Sequence, residues 1–267
     1  MGGGLAAPRR SRLPAGGTEL TGHRDYSPGD DYRYVDWNLC ARHDELLSKE
    51  YRGEADRHLY LLLDCSRSMA LGKPCRLDVA RKAAAAIAYC GLAGQQRASV
   101  VTFADRMLAD SGPIWGKAQI GRLLRFLDAA SPEPAATNLA RTAEAFVRRP
   151  QRSGPAVLVS DMHDPAGFER GLQILRYHGY PPRVVRVHDR REAEPSALGD
   201  VELFDVETGS SWQVTVTEAD LPRYRQLYAD FCESLRSYCA KHAIPYVQVA
   251  VDLPEEELLF RTVGAKP

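Results

Sequence analysis

The most constraining feature of the sequence is a short, uninterrupted apolar run, Leu59 to Leu63, that ends at Asp64. Such a run is typical of a strand buried on both faces of a parallel sheet. A second run, Ala156 to Ser160, ends at Asp161 in the same way. Further strands are predicted over Ala98 to Phe103, Arg183 to Val187 and Tyr246 to Val251.

Segments with helical periodicity separate these strands. Helices are predicted from Leu77 to Gly91, Ile120 to Leu127, Asn138 to Val147 and Phe168 to Tyr177, with a last long helix from near Thr217. Because strands and helices alternate, we expect an α/β fold with a doubly wound, mostly parallel sheet covered on both faces. Val201 to Glu207 and Trp212 to Val216 predict a β-hairpin at the sheet edge.

The chain divides by composition into four segments. Residues 1–17 are expected to form a flexible arm, and residues 18–56 a segment rich in charge and aromatics that packs on the main domain. Residues 57–253 form the main domain, and the acidic residues 254–267 a C-terminal tail. At 267 residues and 44% hydrophobic, the chain is long and apolar enough to build a sizeable core.

Charge and hydropathy narrow the class of protein. Lys plus Arg and Asp plus Glu each number 35, so the charge excess expected of a nucleic-acid-binding protein is missing. No apolar run reaches the ~18 residues of a membrane-spanning helix, and no signal peptide is recognisable. We therefore expect a cytoplasmic protein without a membrane span. Its six cysteines lack metal-ligand spacing and are expected to be reduced.

Polar side chains gather where the predicted strands end, which is where ligands bind in parallel α/β sheets. The first strand continues as Asp64, Cys65, Ser66, Arg67, Ser68, and the second ends at Asp161. Thr137 opens a helix between them. Hydroxyl and carboxylate oxygens are ligands that Mg²⁺ prefers. The alternative is structural, since Ser66, Ser68 and Thr137 could simply cap the helices that follow them.

Two motifs carry a resemblance to known families. Asp64, Ser66, Ser68, Thr137 and Asp161, in this order along alternating strands and helices, resemble the metal-ion-dependent adhesion site of von Willebrand factor A domains. The stretch from Arg24 to Trp37, followed by Ala41, Arg42 and Glu50, resembles the signature of the bacterial domain-of-unknown-function-58 family. Members of that family place this signature just before an A-type domain.

The resemblance implies a Rossmann-like, von Willebrand factor A-like domain with Mg²⁺, or Mn²⁺ or Ca²⁺, at the strand ends. Ser66, Ser68 and Thr137 would be direct ligands, and Asp64 and Asp161 would bind directly or through water. The implied function is non-enzymatic: the metal recruits an acidic residue of a MoxR-type AAA+ ATPase or of its client, in chaperone-like assembly or activation of other proteins.

The signature segment has two compatible interpretations. Its interleaved tyrosines and tryptophan favour a structural role in which the segment packs and orders its charges. It also supplies candidate partner-binding residues, namely Arg24, Asp30, Arg33, Asp36, Trp37 and Arg42.

Two other functions stay open. A metal-dependent hydrolase would use the same ion to activate water, with His163 as the candidate base. A scaffold with a vestigial metal site is the third interpretation.

Overall fold

The computed structural model describes residues 19–26, 35–43, 45–52, 57–195, 198–205 and 210–264. The chain forms two compact units, one over Met1–Arg57 and the other over His58–Pro267. The expected packing of residues 18–56 on the main domain stays a prediction.

The first unit is a small antiparallel hairpin with one short helix. Strand β1 (Glu19–Asp25) pairs with β2 (Leu47–Arg52), and helix α1 (Trp37–His43) lies between them in sequence. Asp36 precedes the helix, and its Oδ1 accepts hydrogen bonds from the backbone N–H groups of Asn38 and Leu39 at 3.2 and 3.3 Å. This carboxylate therefore stabilises the first turn of α1.

The second unit is built on a seven-stranded sheet. Strands β3 (His58–Asp64), β4 (Arg97–Phe103), β7 (Ala156–Ser160), β8 (Pro182–His188) and β11 (Tyr246–Ala250) are parallel, in the order β11-β8-β7-β3-β4. Two short strands, β5 (Met107–Asp110) and β6 (Ile114–Trp115), pair antiparallel with β4. The predicted parallel sheet is confirmed, while these two strands were not predicted because they are too short to show alternation.

Helices cover both faces of the sheet. Helices α2 (Arg76–Ala93), α3 (Ile120–Ala129) and α7 (Glu255–Gly264) share one apolar cluster with Leu59, Leu61 and Leu63. Helices α4 (Leu139–Val147), α5 (Glu169–Tyr177) and α6 (Asp220–Lys241) share the other with Tyr60 and Leu62. Alternate residues of β3 thus enter opposite cores, which explains its uninterrupted apolar sequence.

The predicted hairpin is confirmed, with strands β9 (Gly199–Phe204) and β10 (Ser211–Val216). In the part of the chain that the structure describes, it forms a two-stranded sheet separate from the main sheet.

The C-terminal segment differs from expectation. Residues 254–267 were expected to trail away as an acidic tail, but Glu255–Gly264 form α7. Leu258 is buried in the α2 side of the core, and its apolar contact outweighs the acidic sequence around it. The expectation of a tail is therefore wrong over these residues.

The six cysteines form no disulfide in the structure, and their reduced state in the cell stays a prediction. Cys65 and Cys239 are buried, whereas Cys90 is exposed on α2. In the described part of the chain, no helix is long and apolar enough to cross a membrane.

The close approach of α4 and α5 depends on Gly171. A Cβ at this position would lie 2.9 Å from the backbone carbonyl carbon of Leu139 and closer still to its side chain. We expect Gly171→Ala to destabilise the protein by about 1–3 kcal/mol, because overpacking forces backbone shifts. Urea denaturation monitored by circular dichroism measures the change.

Gly121→Ala is the matched control, since Gly121 also lies in a helix but its Cβ would meet only the tip of Arg125 at 3.9 Å. It should be neutral or stabilising by up to about 1 kcal/mol, as alanine favours helices. Equal effects of the two substitutions would contradict the close-packing argument.

Candidate functional site

The candidate site lies where the order of the sheet reverses. After β3 the chain moves to β4 on one side and later returns to β7 on the other, so the carboxyl ends of β3 and β7 flank a topological switch point. Asp64 ends β3, and Asp161 directly follows β7. Ligands of open α/β sheets bind in the crevice at such a point.

Asp64 is the centre of a buried hydrogen-bond cluster. Its side chain is fully buried, and its Oδ1 accepts from the backbone N–H of Ser66 at 2.8 Å. Its Oδ2 accepts from the hydroxyls of Thr137 at 3.1 Å and Ser160 at 2.5 Å. Within the residues that the structure describes, no Lys, Arg or His forms an ion pair with Asp64. This carboxylate is held by neutral donors.

The hydroxyls of Ser66 and Ser68 lie 3.1 Å apart, and both residues are buried. Ser66 precedes the 3₁₀ turn Arg67–Ala70, yet its side chain makes no capping hydrogen bond there. The cap of α4 is Asn138, whose side chain accepts from Arg141 N–H at 2.9 Å, while Thr137 points to Asp64. The helix-cap alternative is therefore wrong for Ser66 and Thr137.

Asp161 has a different environment. Its Oδ2 accepts from Nη1 of Arg76 at 2.9 Å, and its Oδ1 accepts from the backbone N–H of His163 at 3.1 Å. Arg76 begins α2 and is itself buried; its Nη1 also donates to the carbonyl of Ser68 at 3.0 Å, and its Nη2 pairs with Glu192. Of the two strand-end carboxylates, only Asp161 has a cationic partner among the described residues, and the two therefore differ in their electrostatic environment.

The same difference appears in the pKa values. Burial, and then repulsion from Asp161, raises the pKa of Asp64 to about 7, against the hydrogen bonds from Ser160 and Ser66. Burial also raises the pKa of Asp161, but the hydrogen bond and charge of His163 and the charge of Arg76 outweigh it and bring that pKa to about 2. Among the described residues, Asp64 therefore has no cation to compensate its charge when it ionises, whereas Asp161 does.

His163, the candidate base of the hydrolase interpretation, lies at the rim of the site. Its Nδ1 is 3.6 Å from Oδ2 of Asp161, and its ring packs against Phe231 of α6 with centroids 5.0 Å apart. The preceding residue, Met162, has a φ of 64°. This left-handed turn, uncommon for a residue other than glycine, directs the chain away from β7 just beyond Asp161.

Cys65 lies in the loop after β3, between Asp64 and Ser66, and is fully buried. Burial, followed by the charge of Asp64, raises the pKa of its thiol to about 12. The thiol is thus protonated and inaccessible at neutral pH, as expected for a structural cysteine.

The candidate partner-binding residues lie in the first unit. Trp37 and Arg42 are exposed on α1, and Oδ2 of Asp36 lies 3.0 Å from Nε2 of His23. Arg24 is part of β1, but its side chain lies outside the described residues, as do Asp30 and Arg33 entirely. For Asp36, the helix cap and the histidine contact support the structural role, and partner binding stays a prediction.

The residues of the strand-end site suit a hard cation. Ser66, Ser68, Thr137 and Asp64 supply only oxygen donors, and each hydroxyl has lone pairs beyond the hydrogen bond it makes. Among the described residues, no three His, Cys, Asp or Glu side chains form a group that could hold a metal. Any ion bound here would therefore depend on the hydroxyl groups, as Mg²⁺ can.

Sequence comparison identifies the family. The model of the family described as "Protein of unknown function DUF58" matches residues 22–232. The chain belongs to this family. Its relatives include proteins described as uncharacterized from Mycobacterium bovis and Mycobacterium tuberculosis, each 29% identical over 201 residues, which is 74% of this chain and 63% of the relative. The chain thus spans 63% of the length of these relatives.

Solved structures with a similar fold include BatB from Bacteroides thetaiotaomicron, at 14% identity and a TM-score of 0.46 over 78% of this chain and 98% of that chain. A von Willebrand factor type A protein from Catenulispora acidiphila has 13% identity and a TM-score of 0.46, over 82% of this chain and 44% of that chain. At these values the likenesses carry no argument about function.

Sequence reasoning missed three residues of the site: Arg76, Ser160 and Glu192. Ser160 ends a predicted buried strand beside Asp161, so its position was a usable signal. Arg76 and Glu192 are 116 residues apart, and only the fold shows that they share a partly buried ion pair.

The pKa of Asp64 gives a test of the metal-free protein. The pKa of Asp64 is about 7 in the folded protein and has the ordinary value of 3.8 in the unfolded chain. Between pH 3.8 and about pH 7, Asp64 therefore carries a proton only in the folded state. Its contribution to the free energy of unfolding falls as the pH rises through this range. In Asp64→Asn, the side chain at position 64 has no proton to gain or lose in this pH range. In chelator, we expect its melting temperature relative to wild type to rise by at least about 3 °C from pH 5 to pH 8.

Asp230→Asn, which changes an exposed carboxylate on α6, controls for general effects of charge removal and should show little pH-dependent difference. Differential scanning calorimetry of both variants gives the comparison. A melting-temperature difference for Asp64→Asn that stays constant with pH would show that Asp64 is ionised throughout this range.

Proposed function

We propose that this protein is a non-enzymatic, Mg²⁺-dependent interaction module. The observation that carries the proposal is Asp64, a fully buried carboxylate without an ion-pair partner in the described part of the chain, beside the buried hydroxyls of Ser66, Ser68 and Thr137. A buried anion is unfavourable unless a cation compensates it. A hard divalent cation would do so and would use the hydroxyl oxygens as further ligands.

The residues of the site would have different roles at the ion. Ser66 and Ser68, on the loop after β3, and Thr137, before α4, would hold the ion together with Asp64, and Asp161 would lie behind them. A bound Mg²⁺ would supply an electrophilic position to which an acidic side chain of a partner can bind. Because most of these ligands are neutral hydroxyls, much of the positive charge would remain available to that side chain.

The partner that we propose is a MoxR-type AAA+ ATPase or its client, with a chaperone-like role in the assembly or activation of other proteins. Support for this partner comes from the DUF58 signature between Arg24 and Glu50 and from the family match. Mn²⁺ or Ca²⁺ could replace Mg²⁺, because both also accept oxygen ligands.

Metal binding is tested by removing the two serine hydroxyls. We expect Mg²⁺ or Mn²⁺ to raise the melting temperature of the wild type, and Ser66→Ala/Ser68→Ala to abolish that rise. The double variant should fold, since it removes both hydroxyls of the Ser66–Ser68 pair together, and Asp64 keeps the backbone N–H of Ser66 and the hydroxyls of Thr137 and Ser160. Isothermal titration calorimetry with Mn²⁺ measures affinity directly.

Ser234→Ala/Ser237→Ala, at exposed positions of α6, is the matched control and should keep the metal response. An unchanged Mn²⁺ affinity in Ser66→Ala/Ser68→Ala would refute the proposed site.

The partner is tested by a pull-down from native lysate, with Mg²⁺ and with chelator, using wild type and the Ser66→Ala/Ser68→Ala variant. Retention of an AAA+ ATPase only by the wild type with Mg²⁺ is the expected result. Retention in every lane would move the contact to the Arg24 to Arg42 segment. Absence of an ATPase from all lanes would contradict the proposed partner.

The hydrolase interpretation has one defined test in the same protein. Its base would be His163, whose ring is fixed between Asp161 and Phe231. Turnover of a phosphoester or peptide panel that disappears in His163→Ala would replace the interaction module as the proposed function.

A further inference from the structure

Arg76 is a buried cation directly beside the candidate metal centre. It is 5% exposed, and its Nη1 bridges the carboxylate of Asp161 and the backbone carbonyl of Ser68. The guanidinium therefore touches two of the residues that the adhesion-site pattern includes. A charged side chain is rarely buried in this way unless its partners require it.

Both carboxylate oxygens of Asp161 already accept hydrogen bonds from the protein. One oxygen accepts from Arg76, and the other accepts from the backbone N–H of His163. Asp64, in contrast, accepts only from hydroxyls and a backbone N–H among the described residues. The positive charge that a divalent ion would bring to Asp161 is thus already supplied by the protein.

A second layer of contacts holds Arg76 in this position. Glu192, in the 3₁₀ turn Arg190–Ala193, pairs with its Nη2. The phenol of Tyr228 lies 3.5 Å from the other oxygen of Glu192, and Arg186 donates to both Tyr228 and the carbonyl of Asp161, at 3.2 and 3.3 Å. Because this ring of contacts is buried or half-buried, Arg76 is not free to swing away when an ion arrives.

From this geometry we propose that Arg76 is a positioning residue that lowers the metal affinity of the site by keeping Asp161 in an ion pair. The inference rests on the proposed function, since it concerns the same metal centre. The guanidinium acts in two ways: it withholds a carboxylate from the ion, and its own positive charge repels the ion. The site would therefore exchange its metal readily instead of binding it permanently.

The test compares Mn²⁺ affinity in variants that neutralise Arg76. In Arg76→Met, Asp161 becomes available to the ion, and we expect the dissociation constant for Mn²⁺ to fall roughly tenfold or more. Arg76→Gln is a second neutral variant that can still donate a hydrogen bond to Asp161, and it is used if the methionine variant does not fold. Mn²⁺ should also raise the melting temperature of either variant more than that of the wild type.

Arg76→Met/Asp161→Asn shows whether the effect passes through Asp161. We expect the added asparagine to remove the part of the gain that comes from Asp161, because that carboxylate is gone, and to leave only the part that comes from the lost repulsion by Arg76. Arg236→Met, which removes an exposed arginine from α6, is the matched control and should bind Mn²⁺ like the wild type.

Neutral Arg76 variants that bind Mn²⁺ no more tightly than the wild type would overturn the inference while leaving the metal centre in place. An Arg76→Met/Asp161→Asn variant that binds Mn²⁺ as tightly as Arg76→Met would also overturn the inference. A wild type that binds no Mn²⁺ would instead contradict the proposed function itself, and with it the inference.

Discussion

The site depends on the electrostatic repulsion between two buried aspartates, Asp64 and Asp161, at the ends of adjacent strands. Asp64 ends strand β3 and Asp161 directly follows the neighbouring parallel strand β7, and both side chains are excluded from solvent. Repulsion and burial both oppose the ionisation of such a pair. The structure compensates only Asp161, through Arg76 and His163, and leaves Asp64 to hydroxyls and a backbone N–H among the described residues. This asymmetry is what makes Asp64 the natural position for an added cation.

The architecture explains why this pair can be held so closely. Side chains of β3 enter both apolar clusters, so the strand is fixed from two faces and its last residue has little freedom. Helices α2 and α4 begin near the same end of the sheet, and they bring Arg76 and Thr137 to the two carboxylates. A site built on rigid elements of this kind keeps its geometry whether or not a ligand is present.

The sequence was sufficient for the parts of the fold that depend on local patterning. The apolar runs before Asp64 and Asp161 predicted the central parallel strands, and helical spacing predicted α2 to α6, because both signals are short-range. It failed for β5, β6 and α7, where the elements are short or their polar residues mask a single buried contact such as Leu258. Tertiary packing determines the secondary structure of such segments, and the periodicity of the sequence carries no signal of that packing.

The candidate site shows the same division. Asp64, Ser66, Ser68, Thr137 and Asp161 could be selected from strand ends and from their resemblance to a known motif. The ion pairs of Arg76 could not be predicted, because they join residues 85 and 116 positions apart in the chain. In the sequence, Asp64 and Asp161 look equivalent, because each lies at the end of an apolar run. In the fold, Asp161 forms an ion pair with Arg76.

The central claim is that Asp64, and not Asp161, is the carboxylate available to a metal ion. A crystal structure of the protein grown with Mn²⁺, with anomalous diffraction data to locate the ion, tests this most directly. We expect an anomalous peak beside Asp64, Ser66, Ser68 and Thr137, with the ion pair between Arg76 and Asp161 intact. A peak bound to Asp161 with Arg76 displaced, or no peak at this end of the sheet, would contradict it.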